Sequence, residues 1–249
     1  MLLDSHTLLF LAAMALLVGF VKVGLPVLGT FVAVCMALYF PAKDALGLTL
    51  MYLFVGDLIA VSLHARNANW SILRRLLPTI LLGIVVGIGT VNMMSSDHLG
   101  GIIGLLIIGI VAMEPFRPKV TAWAERHSRF VRHSSGTLAG FTTTVGNVAG
   151  PILTLYFLLL KVDKYSFVGT AALFFFIVNI IKLPLYASIG VFKSYYVWSY
   201  LLTVPLVFVG AIAGRRFLEW IPQKQFNQVV LTLTGIAGAW LFLRYFING

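Results

Sequence analysis

Lys22 and Asp57 stand inside long apolar runs, where an ionisable side chain is expensive and signals a task. A carboxylate at the centre of a membrane helix costs about 2.5–3.5 kcal/mol on insertion scales. Asp57 is therefore expected to be protonated, paired with Lys22 or Lys182, or part of a proton relay. A neutral, hydrogen-bonded structural acid is the plainer alternative. Lys182 stands nearer the end of its run, and its long stem favours snorkelling to the interface. Two glycine–proline interruptions accompany these residues, one at Gly24 and Pro26, the other at Gly146, Asn147, Gly150 and Pro151. A broken helix bares N–H donors, and the helix dipole adds to their attraction for anions. Pro26 and Pro151 suit the first turn of a half-helix, where the missing N–H is harmless. Thr142, Thr143, Thr144 and Asn147 add donors at the second break, while Lys22 adds a cation at the first. The candidate set for holding a small oxyanion is thus Lys22, Gly24, Pro26, Thr142, Thr143, Thr144, Gly146, Asn147, Gly150 and Pro151. Asp57 and its second-half counterpart Asn179 are candidates for proton coupling. Two closely packed kinked helices are the structural alternative.

Other chemistry finds little support. No Gly-x-Ser-x-Gly, His-Glu-x-x-His or Gly-x-x-x-x-Gly-Lys-Ser/Thr pattern occurs, so no catalytic residue, cofactor or nucleotide is expected. His6, His64, His98, His127 and His133 lie in or near loops without metal-ligand spacing, so no metal is expected. Cys35 is the single cysteine, which excludes a disulfide framework and reads as a small core residue.

These residues need a lipid-embedded scaffold. Of 249 residues, 60% are hydrophobic and 10% charged, against about 25% charged in soluble domains. Mean hydropathy is +0.98. A soluble enzyme, a disordered chain and a disulfide-rich fold are excluded. Lys and Arg number 18 against 8 acidic residues, a formal charge of +10. Basic cytoplasmic loops explain that excess, so no nucleic-acid partner is inferred. The start, Leu3 to His6, lacks a basic n-region, and no cleavable signal is evident.

Apolar runs cover 7–40 (interrupted), 45–63, 76–94, 99–113, 136–160 (interrupted), 165–187, 195–213 and 226–246. Uninterrupted runs approach the roughly 20 residues that cross hydrocarbon, and long β-type alternation is absent. The order repeats. Gly47 and Asp57 parallel Gly169 and Asn179, Thr49 parallels Thr170 with a one-residue slip, and Gly83/Gly87 parallel Gly210/Gly214. Thr49 and Thr170 suit either a site or a back-bond to their own helices. The Gly-x-x-x-Gly pairs suit close helix contact. Trp70, Tyr195, Tyr196, Trp198, Tyr200 and Trp220 fall near run ends, as an aromatic belt would.

The expected fold is an all-α integral membrane protein of two repeats, 1–113 and 136–249, joined by a basic cytoplasmic linker, 114–135. Placing the basic turns inside requires run 136–160 to enter and return on one side. If run 7–40 does the same, each repeat holds one half-helix hairpin and three crossings. That odd number inverts the repeats.

The segments Gly19-Phe20-Val21-Lys22-Val23-Gly24-Leu25-Pro26 and Gly140-Phe141-Thr142-Thr143-Thr144-Val145-Gly146-Asn147-Val148-Ala149-Gly150-Pro151 resemble the TauE/SafE family of sulfite and organosulfonate exporters. The flanking Gly47/Thr49 and Gly169/Thr170 segments are similar too, and the likeness runs from about Leu8 to Leu243. The resemblance implies movement of sulfite, sulfoacetate or related anions across the bacterial inner membrane. With the broken helices, it gives the expectation of a secondary transporter with its site near the midplane and protons as a possible coupling ion. The alternative is an anion channel using the same helix ends. The expected partners are the anion and membrane lipids, with oligomeric state left open.

Overall fold

The computed structural model describes residues 4–95, 128–160 and 162–222, with isolated positions 98, 99, 102, 105, 225, 228, 229 and 232. The runs 99–113 and 226–246 and most of the basic linker lie outside the described residues. Among the described residues all regular structure is helical: α1 (Ser5–Val23), α2 (Gly29–Tyr39), α3 (Ala42–His64), α4 (Trp70–Met93), α5 (Ser128–Gly146), α6 (Gly150–Leu159), α7 (Lys164–Ser188), α8 (Val197–Thr203) and α9 (Pro205–Trp220). Among the described residues four helices, α1, α3, α4 and α7, are long and apolar enough to cross a membrane. The α8–α9 pair makes a fifth candidate, bent by 47°.

Both sequence interruptions are helix breaks. α1 gives way at Gly24 to a 3-10 turn over Pro26–Leu28 before α2. α5 ends at Gly146, and α6 restarts at Gly150. Asn147 occupies the second break with φ of 56°, a left-handed conformation that asparagine tolerates better than most residues.

α1 and α2 form a hairpin. Thr7 Oγ1 and Tyr39 Oη are 2.8 Å apart, and the Phe10 and Tyr39 rings stack at 4.2 Å, so α2 ends where α1 began. α5 and α6 fold back likewise. α6 closes on α7 through an edge-on Phe157–Phe167 contact at 5.2 Å, while Gly169 of α7 sits on the His64 carbonyl. The first hairpin therefore opens at the start of α3, and the second opens where α3 ends and α4 begins.

Glycines dock each hairpin on a partner helix, α4 or α9. A Cβ at Gly83 would run into the Thr137 carbonyl, and one at Gly140 into the Ile80 carbonyl, so α4 and α5 run in parallel at backbone contact. α9 treats α1 the same way: Gly210 abuts the Leu16 carbonyl and Gly214 the Phe20 carbonyl. The Gly-x-x-x-Gly pairs thus serve helix contact, as expected.

Several boundaries differ from the sequence reading. α4 starts at Trp70 rather than near residue 76, because the Asn69 side chain accepts from Ser71 N and Ile72 N and caps the helix. α5 starts at Ser128, within the stretch assigned to the linker. The run 195–213 is not one helix: Pro205 lacks an N–H and starts α9, which then continues to Trp220. Trp70, Tyr195, Trp198 and Trp220 are exposed as a belt requires, but Tyr196 is buried and Tyr200 donates inward to the Met51 carbonyl at 3.3 Å.

Candidate functional site

The two ionisable residues that stood out in the sequence meet in space. Lys22 Nζ, near the end of α1, lies 2.5 Å from Asp57 Oδ1 on α3. The other carboxylate oxygen accepts from Asn179 Nδ2 on α7 at 2.6 Å. The second-half counterpart of Asp57 is therefore its direct hydrogen-bond partner. Asn179 Oδ1 in turn accepts from Lys182 Nζ at 3.3 Å. Lys182 also donates to Asn147 Oδ1 at 2.6 Å and to the Thr143 carbonyl at 2.7 Å, both at the α5–α6 break. Asn147 Nδ2 reaches the Leu46 carbonyl on α3 at 3.4 Å. One polar chain thus runs from the end of α1, across α3 and α7, to the second break.

The chain is buried: relative exposure is 4% at Lys22 and 0% at both Asp57 and Lys182. The Phe175 ring centroid lies 4.3 Å from Lys22 Nζ and the Tyr186 centroid 5.3 Å from Lys182 Nζ, so both ammonium groups face aromatic rings. The Tyr186 hydroxyl donates to the Thr144 carbonyl, anchoring α7 to the last turn of α5. Two lysines face one carboxylate. Lys22 has that counter-ion in contact. Lys182 Nζ is held by four neutral oxygens: the Thr143 carbonyl and hydroxyl, Asn147 Oδ1 and Asn179 Oδ1.

The candidate residues divide by role in this geometry. Lys22, Thr143, Asn147, Asp57 and Asn179 belong to the chain itself. Thr142 and Thr144 are buried beside it, but their hydroxyls donate to Leu138 and Gly140 carbonyls of their own helix, each at 2.8 Å. Gly146, Gly150 and Pro151 bound the second break, and Gly24 and Pro26 the first. Gly24 N and Leu25 N still donate to Phe20 and Val21 carbonyls, so the first break keeps its terminal helical bonds. Leu25 shares a core cluster with Ala149 and Leu153, which brings the two breaks together. Of the paired threonines, Thr170 Oγ1 accepts from Asn69 N at 2.9 Å, whereas the buried Thr49 hydroxyl has no partner among the described residues.

Lys182 corrects the sequence reading. It does not snorkel; its ammonium lies at the centre of the polar chain. Its i,i+3 spacing from Asn179 was the available signal, since that spacing puts both on one helix face. Tyr186, one turn further along the same face, was also missed.

Helices of bilayer length, apolar outer faces and a buried ionic cluster beside two helix breaks define a multi-pass membrane protein with an internal polar site. The family model for the sulfite exporter TauE/SafE matches residues 11–241. The chain belongs to the TauE/SafE sulfite exporter family, a family of membrane transporters. No curated protein and no solved structure matches it.

Proposed function

We propose that the protein is a secondary transporter moving a small sulfur-containing anion, sulfite or an organosulfonate, across the bacterial inner membrane. The observation that carries this reading is Lys182: a buried ammonium at a helix break, solvated by neutral oxygens, with the cluster's one carboxylate bound to Lys22. An uncompensated cation in a low-dielectric interior attracts an anion strongly. The α5–α6 break supplies backbone and Asn147 for orientation, and Lys22 lies one residue pair away through Asp57 and Asn179.

The same cluster gives a coupling mechanism. With Asp57 ionised the group carries one net positive charge. A proton on Asp57 raises that to two and frees Lys22 to join Lys182 around the anion. Proton and anion binding then favour one another, and both cross together.

The two repeats, 1–113 and 136–249 about the linker 114–135, are inverted in this proposal. Its support is that one hairpin opens at the Tyr39 end of α3 and the other at its His64 end, each docked on a parallel Gly-x-x-x-Gly helix. Rocking of one repeat against the other would expose the cluster to each side in turn.

Flux in reconstituted vesicles tests the reading. The wild-type chain is expected to move sulfite and sulfoacetate saturably, with countertransport, and faster with an inward proton gradient. Lys182→Met should remove anion-dependent flux, and Asp57→Asn should leave flux with no pH dependence. Non-saturating flux without countertransport would assign a channel. Full activity in Lys182→Met would remove the proposed site.

A further inference from the structure

A second basic feature lies apart from the buried cluster. A cleft of about 460 Å³ opens between the end of α3, the first turn of α7 and the last turns of α9, lined by His64, Arg66, Asn67, Tyr165, Arg215 and Glu219 among others. That volume falls within the usual range for small-molecule sites. Arg66 and Arg215 reach it from different elements. Among the described residues its one lining acid is Glu219, which accepts from Arg215 Nε at 3.0 Å on the same helix. His64 is 7% exposed, and its Nε2 has no partner among the described residues. The imidazole and the two guanidinium groups give the cleft a polar, basic wall. The cleft also has a defined place. His64 is seven residues beyond Asp57, about 10 Å along α3, and Gly214, next to Arg215, packs on Phe20 and Gly24.

We infer that this cleft is a capture site for a soluble sulfonate- or sulfite-class oxyanion, filled before the anion reaches Lys182. The planar guanidinium forks match the paired oxygens of such a group, and the His64 nitrogen adds a third contact. The inference rests on the transporter reading for its substrate class, though not for the existence of the cleft. Exposed guanidinium groups act through a field that salt screens, so capture is expected to weaken as ionic strength rises.

The test uses the full chain in phosphatidylcholine nanodiscs, titrated calorimetrically with sulfoacetate and with sulfite, and the same variants in flux vesicles. Joint Arg66→Gln and Arg215→Gln substitution should raise the half-saturating concentration about tenfold, keep the maximal rate and flatten its salt dependence. Glu219→Gln should lower it, because Arg215 is then released to the ligand; a merely structural role would not produce tighter binding. If the glutamine pair melts early, Arg66→Lys with Arg215→Lys keeps the charge without the fork and should give a smaller loss. Unchanged half-saturation and salt dependence in both arginine pairs would overturn the cleft and leave the buried site standing. Normal flux in Lys182→Met with impaired arginine variants would overturn the buried site and leave the cleft. Repeating the titration in phosphatidylglycerol nanodiscs separates the sources of oxyanion: binding of that headgroup with no response to sulfoacetate or sulfite would assign the cleft to lipid and overturn the inference.

Discussion

Lys22 and Asp57 are each almost fully enclosed, so each depends on the other for its charge. Removing one partner of such a pair strands the other and costs about 3–5 kcal/mol, whereas replacing both with apolar groups is often close to neutral. Asp57→Leu is therefore expected to lower the melting temperature in detergent sharply, and Lys22→Met combined with Asp57→Leu to restore much of it. Simple addition of the two single losses would show that the pair is uncoupled. A different carboxylate adds an acid-sensitive contribution. Asp163 caps α7: its Oδ1 accepts from Tyr165 N and Ser166 N, both at 3.1 Å. Hydrogen bonding from the Ser166 side chain, then from the Ser166 and Tyr165 backbone, holds its pKa below the ordinary 3.8. Because folding lowers this pKa, the cap's contribution is complete above 3.8 and is lost as pH falls through the depressed value. Asp163→Ala should cost about 1 kcal/mol at neutral pH, and melting curves of mutant and wild type should converge in strong acid. Sequence alone marked Lys22 and Asp57, because a charge in an apolar run has few explanations. It did not mark Lys182, because a lysine near a run's end can reach water. Burial there is made tolerable by the Thr143 carbonyl and Asn147 Oδ1 at the α5–α6 break together with Asn179 Oδ1.

At the scale of elements, glycine spacing was legible and helix limits were not. Both interruptions and both Gly-x-x-x-Gly contacts follow from residue types that act locally. The start of α4 depended on a capping bond, and the division at Pro205 depended on how a proline inside an apolar run is accommodated. Pro78 and Pro184 lie inside continuous helices of the same protein, so proline alone could not announce the bend. The glycine contacts make a graded prediction. A Cβ at Gly19, Gly140 or Gly210 would meet backbone of the partner helix, which cannot move aside without parting the pair. Alanine at any of them should destabilise by about 1–3 kcal/mol, as overpacking does. Gly89, on α4, has nothing within 4 Å of its Cβ position. Gly89→Ala should be neutral or slightly stabilising, since alanine favours the helix. Thermal melting of the four variants checks this, and an equal loss at Gly89 would show that helix propensity rather than contact sets the result.

The whole molecule is arranged for two solvents. α4 buries Leu76, Ile80, Gly83, Gly87 and Val91, and turns Leu82, Val85 and Val86 outward. α9 exposes Phe208, Val209 and Ile212 in the same manner. Such stripes would drive aggregation in water and suit hydrocarbon. Charge then separates the two ends. Arg66, Arg74, Arg75, Lys164, Arg215 and Arg216 gather where α3 ends, while Lys43 and Lys193 stand with Asp4 and Asp44 at the other end. By the positive-inside rule the basic end is expected to face the cytoplasm. In the proposed arrangement both hairpins return to the side they came from, which gives side-specific expectations along the chain. In a Cys35→Ser background, single cysteines at Ser62, His133 or Leu160, all exposed at the basic end, should react with a membrane-impermeant maleimide only from the cytoplasmic side. Cysteines at Asp4 or Lys193 should react only from the opposite side. Labelling of intact cells and of inverted vesicles separates the two sets. Agreement of His133 with Leu160 requires α5–α6 to fold back, and disagreement would replace the second hairpin with a single crossing. Reaction of His133 and Asp4 from one side would deny that the hairpins face opposite ways, and with it the inverted arrangement on which alternating exposure of Lys182 depends.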